Sequence, residues 1–78
     1  MNLTPLPNIW IDSIPTVEDT IAQIEICLNT LKENALIADF SDVAIRSQYS
    51  NDIIYMKMFF ERAETLARAE QGTSNASQ

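Results

Sequence analysis

Residues 49–67, YSNDIIYMKMFFERAETLA, decide the fold, because the middle of this stretch admits two readings. From Ile53 to Phe60 every residue except Lys57 is apolar, and its β-branched and aromatic side chains would suit a buried strand. A wider window removes the ambiguity. Tyr49, Ile53, Met56, Phe60, Ala63 and Ala67 recur at spacings of 4, 3, 4, 3 and 4, the repeat of a helix that lays one stripe against a neighbour. A strand has period two and would not sustain that repeat across the whole stretch.

The same repeat occurs upstream. Val17, Ile21, Ile24, Leu28, Leu31 and Ala35 are again spaced 4, 3, 4, 3 and 4. Thr16 with Asp19 three residues on forms a capping-box-like start, and Glu18 and Asp19 suit the positive end of the helix dipole. Lys32 suits the other end, and Asn34 is a candidate left-handed terminator. The pattern predicts a first helix over 16–34. Residues 35–41 then make a link in which Leu36, Ile37 and Phe40 are expected to plug the end of the core. Asp39, Ser41 and Asp42 signal a second helix, with Ser50 as an alternative start, and Gly72 as its end. Two matching seams joined by a short link describe an all-α antiparallel helical hairpin over 16–72. Thr73 to Gln78 is small and polar and reads as a disordered tail.

The first fifteen residues read differently. They hold all three prolines, Pro5, Pro7 and Pro15, so regular helix is not expected before Pro15. Yet Leu3, Leu6, Ile9, Trp10, Ile11 and Ile14 make this N-terminal arm apolar. Two placements are open: the arm folds back over the hairpin's own core, or it docks on a partner.

The run from Ile53 to Phe60 is apolar around most of a helix, and one neighbouring helix cannot cover it all. A chain of 78 residues buries only about 60% of the surface it exposes when unfolded, so its stability needs support from elsewhere. A second interface is therefore expected. Trp10, Ile54, Tyr55, Met58, Phe59, Arg62 and Leu66 are the candidate partner-binding residues. Met58 is suggestive because a flexible thioether adapts to another chain.

Other functions find little purchase. Eleven acids against five bases give a net charge of -6, which repels phosphate backbones and anionic membranes. Direct nucleic-acid binding is thereby disfavoured. No apolar run approaches the roughly 18 residues of a membrane span, and the first residues lack a secretory pattern, so a cytoplasmic protein is expected. There is no histidine, Cys27 is the only cysteine and Gly72 the only glycine. Nucleophilic catalysis lacks its usual base, a phosphate loop lacks its glycines, and a nitrogen and sulfur metal site lacks ligands. Asp39 with Asp42, or Glu61 with Glu64, are better read as helix caps and a solvated face than as metal or acid-base pairs. We expect no catalytic role, no cofactor and no metal.

The first-helix segment Gln23-Ile24, Leu28 and Leu31-Lys32-Glu33-Asn34, the short link, and a second helix from Gln48-Tyr49 through Phe60-Glu61-Arg62-Ala63-Glu64 together resemble the small E-type co-chaperones of the type III secretion needle subunit. The likeness spans about residues 16–70. It implies a cytoplasmic protein that pairs with a larger tetratricopeptide-repeat chaperone to keep the needle subunit soluble before export. Two other readings stay open: a phage-type small inhibitor or adaptor that presents its acidic face, including Glu18, Asp19 and Glu25, to a host protein, and a self-assembling structural subunit.

Overall fold

The computed structural model describes the backbone of residues 3–76 and the side chains up to residue 72. Two helices make the hairpin: α1, Val17–Ile37, and α2, Val43–Ala76. Tyr49 donates its hydroxyl to the Leu31 carbonyl at 3.3 Å, and Phe59 packs in one cluster with Ile24. Residue numbers that rise along α2 thus meet numbers that fall along α1, the mark of antiparallel packing.

The ends of α1 are set locally. Thr16 is extended and its hydroxyl accepts the Asp19 N–H at 3.0 Å, as its sequence position implies. The far end runs on to Ile37, past the expected terminator. Asn34 is not a left-handed cap. Its side chain is fully buried, and its carboxamide accepts from Thr4 N–H and donates to Thr4 C=O, both at 2.9 Å. This residue spends its polarity on the N-terminal arm, and the helix ends instead where Ala38 turns extended.

Because α1 continues, Leu36 and Ile37 rotate outward, and they do not plug the core: Leu36 is 87% exposed. Phe40 is 42% exposed, with its ring edge-on to Tyr49 at 5.1 Å, so it covers the end of the core only in part. In the link, the Asp39 carboxylate accepts the Ser41 N–H, and Asp42 accepts the Ala44 N–H at 2.9 Å to start α2. Those two hydrogen bonds confirm Asp39, Ser41 and Asp42 as the start signal. A single helix follows, with no restart at Ser50. It does not end at Gly72, which has a negative φ and open space around it. The tail read at 73–78 falls on the last helical residues and beyond, and residues 77–78 lie outside the described residues.

The seams are displaced from the predicted ones. On α1 the buried stripe is Thr20, Ile24, Cys27, Leu31 and Asn34, which keeps Ile24 and Leu31 but replaces Ile21, Leu28 and Ala35. On α2 Phe59 is fully buried, whereas Ile53 and Phe60, assigned to the seam, are exposed. The cause is the arm. It runs back along the hairpin from Thr4, paired with Asn34, to Thr16, and it buries Leu3 and Ile14. Ile14, Ile24, Cys27 and Phe59 form the central cluster, flanked by Leu6, Ile9 and Ile11 from the arm and Tyr55, Met56 and Ala63 from α2. With three elements around one core, each helix turns its stripe toward the middle of a triangle rather than straight at the other helix. Of the two placements open to the arm, the structure adopts the one that covers its own core.

Phe59→Ala is expected to cost about 3–5 kcal/mol in urea unfolding. Asn34→Ala should cost about 1–2 kcal/mol, since both freed groups of Thr4 can reach water. Leu36→Ser should change stability by less than about 0.5 kcal/mol.

Candidate protein-binding surface

An extended, proline-bearing arm forms no ladder of its own, so its buried backbone groups need partners from elsewhere. Helix α2 supplies them at two points. The Tyr55 hydroxyl accepts the Ile9 N–H at 3.2 Å and directs its one proton toward the Pro7 and Ile9 carbonyls, at 2.9 and 3.1 Å. Seven residues on, and so on the same side of the helix, Arg62 donates to the Ile14 carbonyl at 2.9 Å and to the Asp12 carbonyl at 3.2 Å. A guanidinium can serve two carbonyls at once because its donors are fixed in a fork.

Between these two pins the chain makes a single 3₁₀ turn, Ile11–Ser13. Ser13 closes it: its N–H and hydroxyl both donate to the Trp10 carbonyl, at 3.0 and 2.6 Å. Trp10 sits at the head of this turn and is 75% exposed. It lines an open groove with Ile9, Ile11, Met58, Arg62 and Thr65. Met58 is exposed, and Ile54, one turn earlier on the same side of α2, is exposed as well.

The seven residues singled out from the sequence therefore separate into two groups. Trp10, Ile54 and Met58 lie on the surface along the outer edge of the arm. Phe59 is fully buried and stacks edge-on with Tyr55 at 5.1 Å. Tyr55 and Arg62 are half-buried under the arm, and Leu66 is half-buried on the α2 seam. Their work is inside the molecule, where Tyr55 and Arg62 hold the arm's backbone on either side of Trp10.

Two features escaped the sequence reading. One is Asn34 as the arm's third anchor. The other is the side of the hairpin opposite the arm, where Ile21, Leu28, Ile53 and Phe60 are between 44 and 53% exposed. A 4, 3, 4, 3 stripe of Thr20, Ile24, Cys27, Leu31 and Asn34 was present in the sequence as a signal, but it is the less apolar of two adjacent stripes.

The core is not dry of polar groups. Gln23 Oε1 and Asp52 Oδ2 are buried and have no hydrogen-bond partner. Burial pushes the Asp52 carboxyl above its ordinary value, and burial together with the nearby Asp52 pushes the Cys27 thiol up. On the surface, hydrogen bonds from Ser41 hold the Asp39 carboxyl below its usual range. Among the described residues no three of His, Cys, Asp or Glu are grouped to hold a metal ion, and no helix is long and apolar enough to cross a membrane.

Comparison with protein-family models, with curated proteins and with solved structures finds no significant match.

Tyr55→Phe combined with Arg62→Met should free the turn: Trp10 fluorescence anisotropy falls while the helical circular dichroism of α1 and α2 persists. Asp52 gives a pH test. A carboxyl whose folded pKa is raised is penalised in the folded state at neutral pH, and the penalty fades as pH falls through that raised value toward 3.8. Asp52→Asn should thus be more stable than the parent at pH 7, with the gap closing near pH 4 in urea unfolding curves.

Proposed function

We propose that this chain is a small protein-binding module that presents Trp10 to an apolar slot on a helical partner. The observation that carries the reading is the placement of that indole: 75% exposed, yet fixed between backbone pins from Tyr55 and Arg62. Leaving a tryptophan body in water forfeits about 1.5–3 kcal/mol of burial, and interface hot spots are enriched in such residues. Fixing the turn in advance lowers the ordering cost of association. Met58 and Ile54 extend the apolar contact, and the net charge of -6 keeps the free and bound forms dispersed.

The specific form we propose is a cytoplasmic co-chaperone that pairs with a larger tetratricopeptide-repeat chaperone and keeps a type III secretion needle subunit soluble before export. The helical hairpin supports it, as does the need of a helical-repeat groove for a protruding apolar anchor. Such a role asks for binding and shielding, which this surface can provide without catalytic groups.

Co-expression with candidate chaperone and needle-subunit pairs, followed by affinity capture, tests both levels. Capture of a ternary complex that persists in 0.5 M salt is expected, because an apolar contact is little screened. Trp10→Ala should weaken it about 30-fold, the equivalent of 2 kcal/mol. Capture undiminished by Trp10→Ala with Met58→Asp would reject the surface. Failure of the parent protein to form any such complex would reject the co-chaperone role.

A further inference from the structure

The side of the hairpin away from the arm carries four exposed apolar side chains, Ile21, Leu28, Ile53 and Phe60. Ile21 and Leu28 are seven residues apart on α1, and Ile53 and Phe60 are seven apart on α2, so each pair faces one way. The antiparallel register, fixed by Tyr49 on Leu31 and Phe59 beside Ile24, sets Leu28 level with Ile53 and Ile21 level with Phe60. The four side chains form a square, each 44–53% exposed.

The two ends of this square carry different charges, and Glu25 and Lys57 border it at mid-length. At the open end, Glu18 and Glu70 line a groove with Val17 and Ile21. At the loop end stand Lys32, one turn beyond Leu28, and Arg46, seven residues before Ile53. Among the described residues the one ion pair is Glu64 with Arg68, so Lys32 and Arg46 have no carboxylate within salt-bridge reach.

We propose that this face seats a second copy of the same chain, turned end for end about a two-fold axis that crosses the hairpin at mid-length. The rotation lays α1 on the partner's α1 in the opposite direction. Each Ile21 then meets a Leu28, each Ile53 meets a Phe60, and each Glu18 comes opposite a Lys32. Arg46 falls among the acids of the other copy's open end. A parallel arrangement would pair Glu25 with Lys57 but set Glu18 against the acids of the other copy's α2 and Lys32 against its Arg46, whereas the end-for-end one brings only Glu25 and Lys57 near their own copies at the axis. The result is an antiparallel four-helix bundle with an arm on each outer side. From Val17 to Ala35 the face is about 27 Å long at 1.5 Å per residue, and the whole body, arm included, measures 19 × 17 Å in its two short directions. A footprint of about 500 Å² on each copy, about 1,000 Å² in total, is that of a small interface. The indole of Trp10 lies on the opposite side and stays free.

Sedimentation equilibrium and light scattering of the intact chain test the proposal. The expected mass is twice 8.8 kDa. Phe60→Glu, at an exposed position, should yield a monomer with unchanged helical circular dichroism. Glu18→Lys and Lys32→Glu should each weaken the dimer about tenfold, and the two together should restore it. A monomer at 0.5 mM, or a dimer untouched by Phe60→Glu, would overturn the proposal, and loss without restoration in the double reversal would overturn the end-for-end arrangement. Trp10→Ala should leave the dimer intact and Phe60→Glu should leave Trp10-dependent capture intact, so this inference and the binding function fail separately.

Discussion

Everything in this molecule turns on an arm that contributes no α-helix or strand beyond one 3₁₀ turn, yet completes the core. Two helices alone enclose a line of contact, not a volume. Residues 3–14 lie along the groove between them and convert that line into a three-sided core with Phe59 at its centre. A helix in such a triangle directs its apolar stripe at the middle, rotated away from the neighbouring helix. That rotation accounts at once for the burial of Phe59, the exposure of Ile53 and Phe60, and the choice of Thr20, Cys27 and Asn34 as inward positions.

The polar character of that inward stripe follows from what the arm brings. A backbone without a ladder must be hydrogen-bonded by side chains, and three residues do so: Asn34 from α1, Tyr55 and Arg62 from α2. Thr20 is fully buried and donates its hydroxyl to the Thr16 carbonyl at 2.7 Å. The arrangement has a cost. Gln23 Oε1 and Asp52 Oδ2 are left buried without partners, and each such atom works against folding. The surface area of 5559 Å² exceeds the roughly 4,800 Å² typical of a compact chain of this mass. An elongated body of 55 × 19 × 17 Å with few fully buried side chains has reason to seek cover from another chain.

Much of the architecture was legible in the sequence, for reasons that are local. Thr16 with Asp19, and Asp39 with Ser41 and Asp42, are short-range capping chemistry, and both act as read. The 4, 3, 4 repeat gave two antiparallel helices. What it could not give is which of two adjacent stripes turns inward, because Val17, Ile21, Leu28 and Ala35 are more apolar than Thr20, Cys27 and Asn34. Periodicity ranks stripes by hydrophobicity, whereas packing ranks them by what the third element offers. The same limit applied to the site: Trp10, Ile54 and Met58 emerge on the surface, but Phe59, Tyr55 and Arg62 looked equally available until the arm was placed over them. Asn34 misled for a related reason, since an asparagine near a helix end reads as a terminator unless its long-range partner is known.

The rotation that buries Phe59 also divides the exterior into two independent faces. On one side the arm's turn, fixed at Ile9 and at Ile14, has no room to fold its largest residue inward: the core position beside α2 is already filled by Phe59, with Tyr55 against it, and Trp10 is displaced outward next to Met58. On the other side the stripes that would have met in a plain two-helix hairpin are pulled apart into an open apolar square. Neither exposure is an accident of a loosely packed chain, since each is the geometric complement of a filled position inside. A single constraint, the arm in the groove, thus goes with an exposed indole on the arm's side and exposed apolar side chains on the other. Two surfaces so separated can be occupied at the same time, because neither lies in the other's footprint.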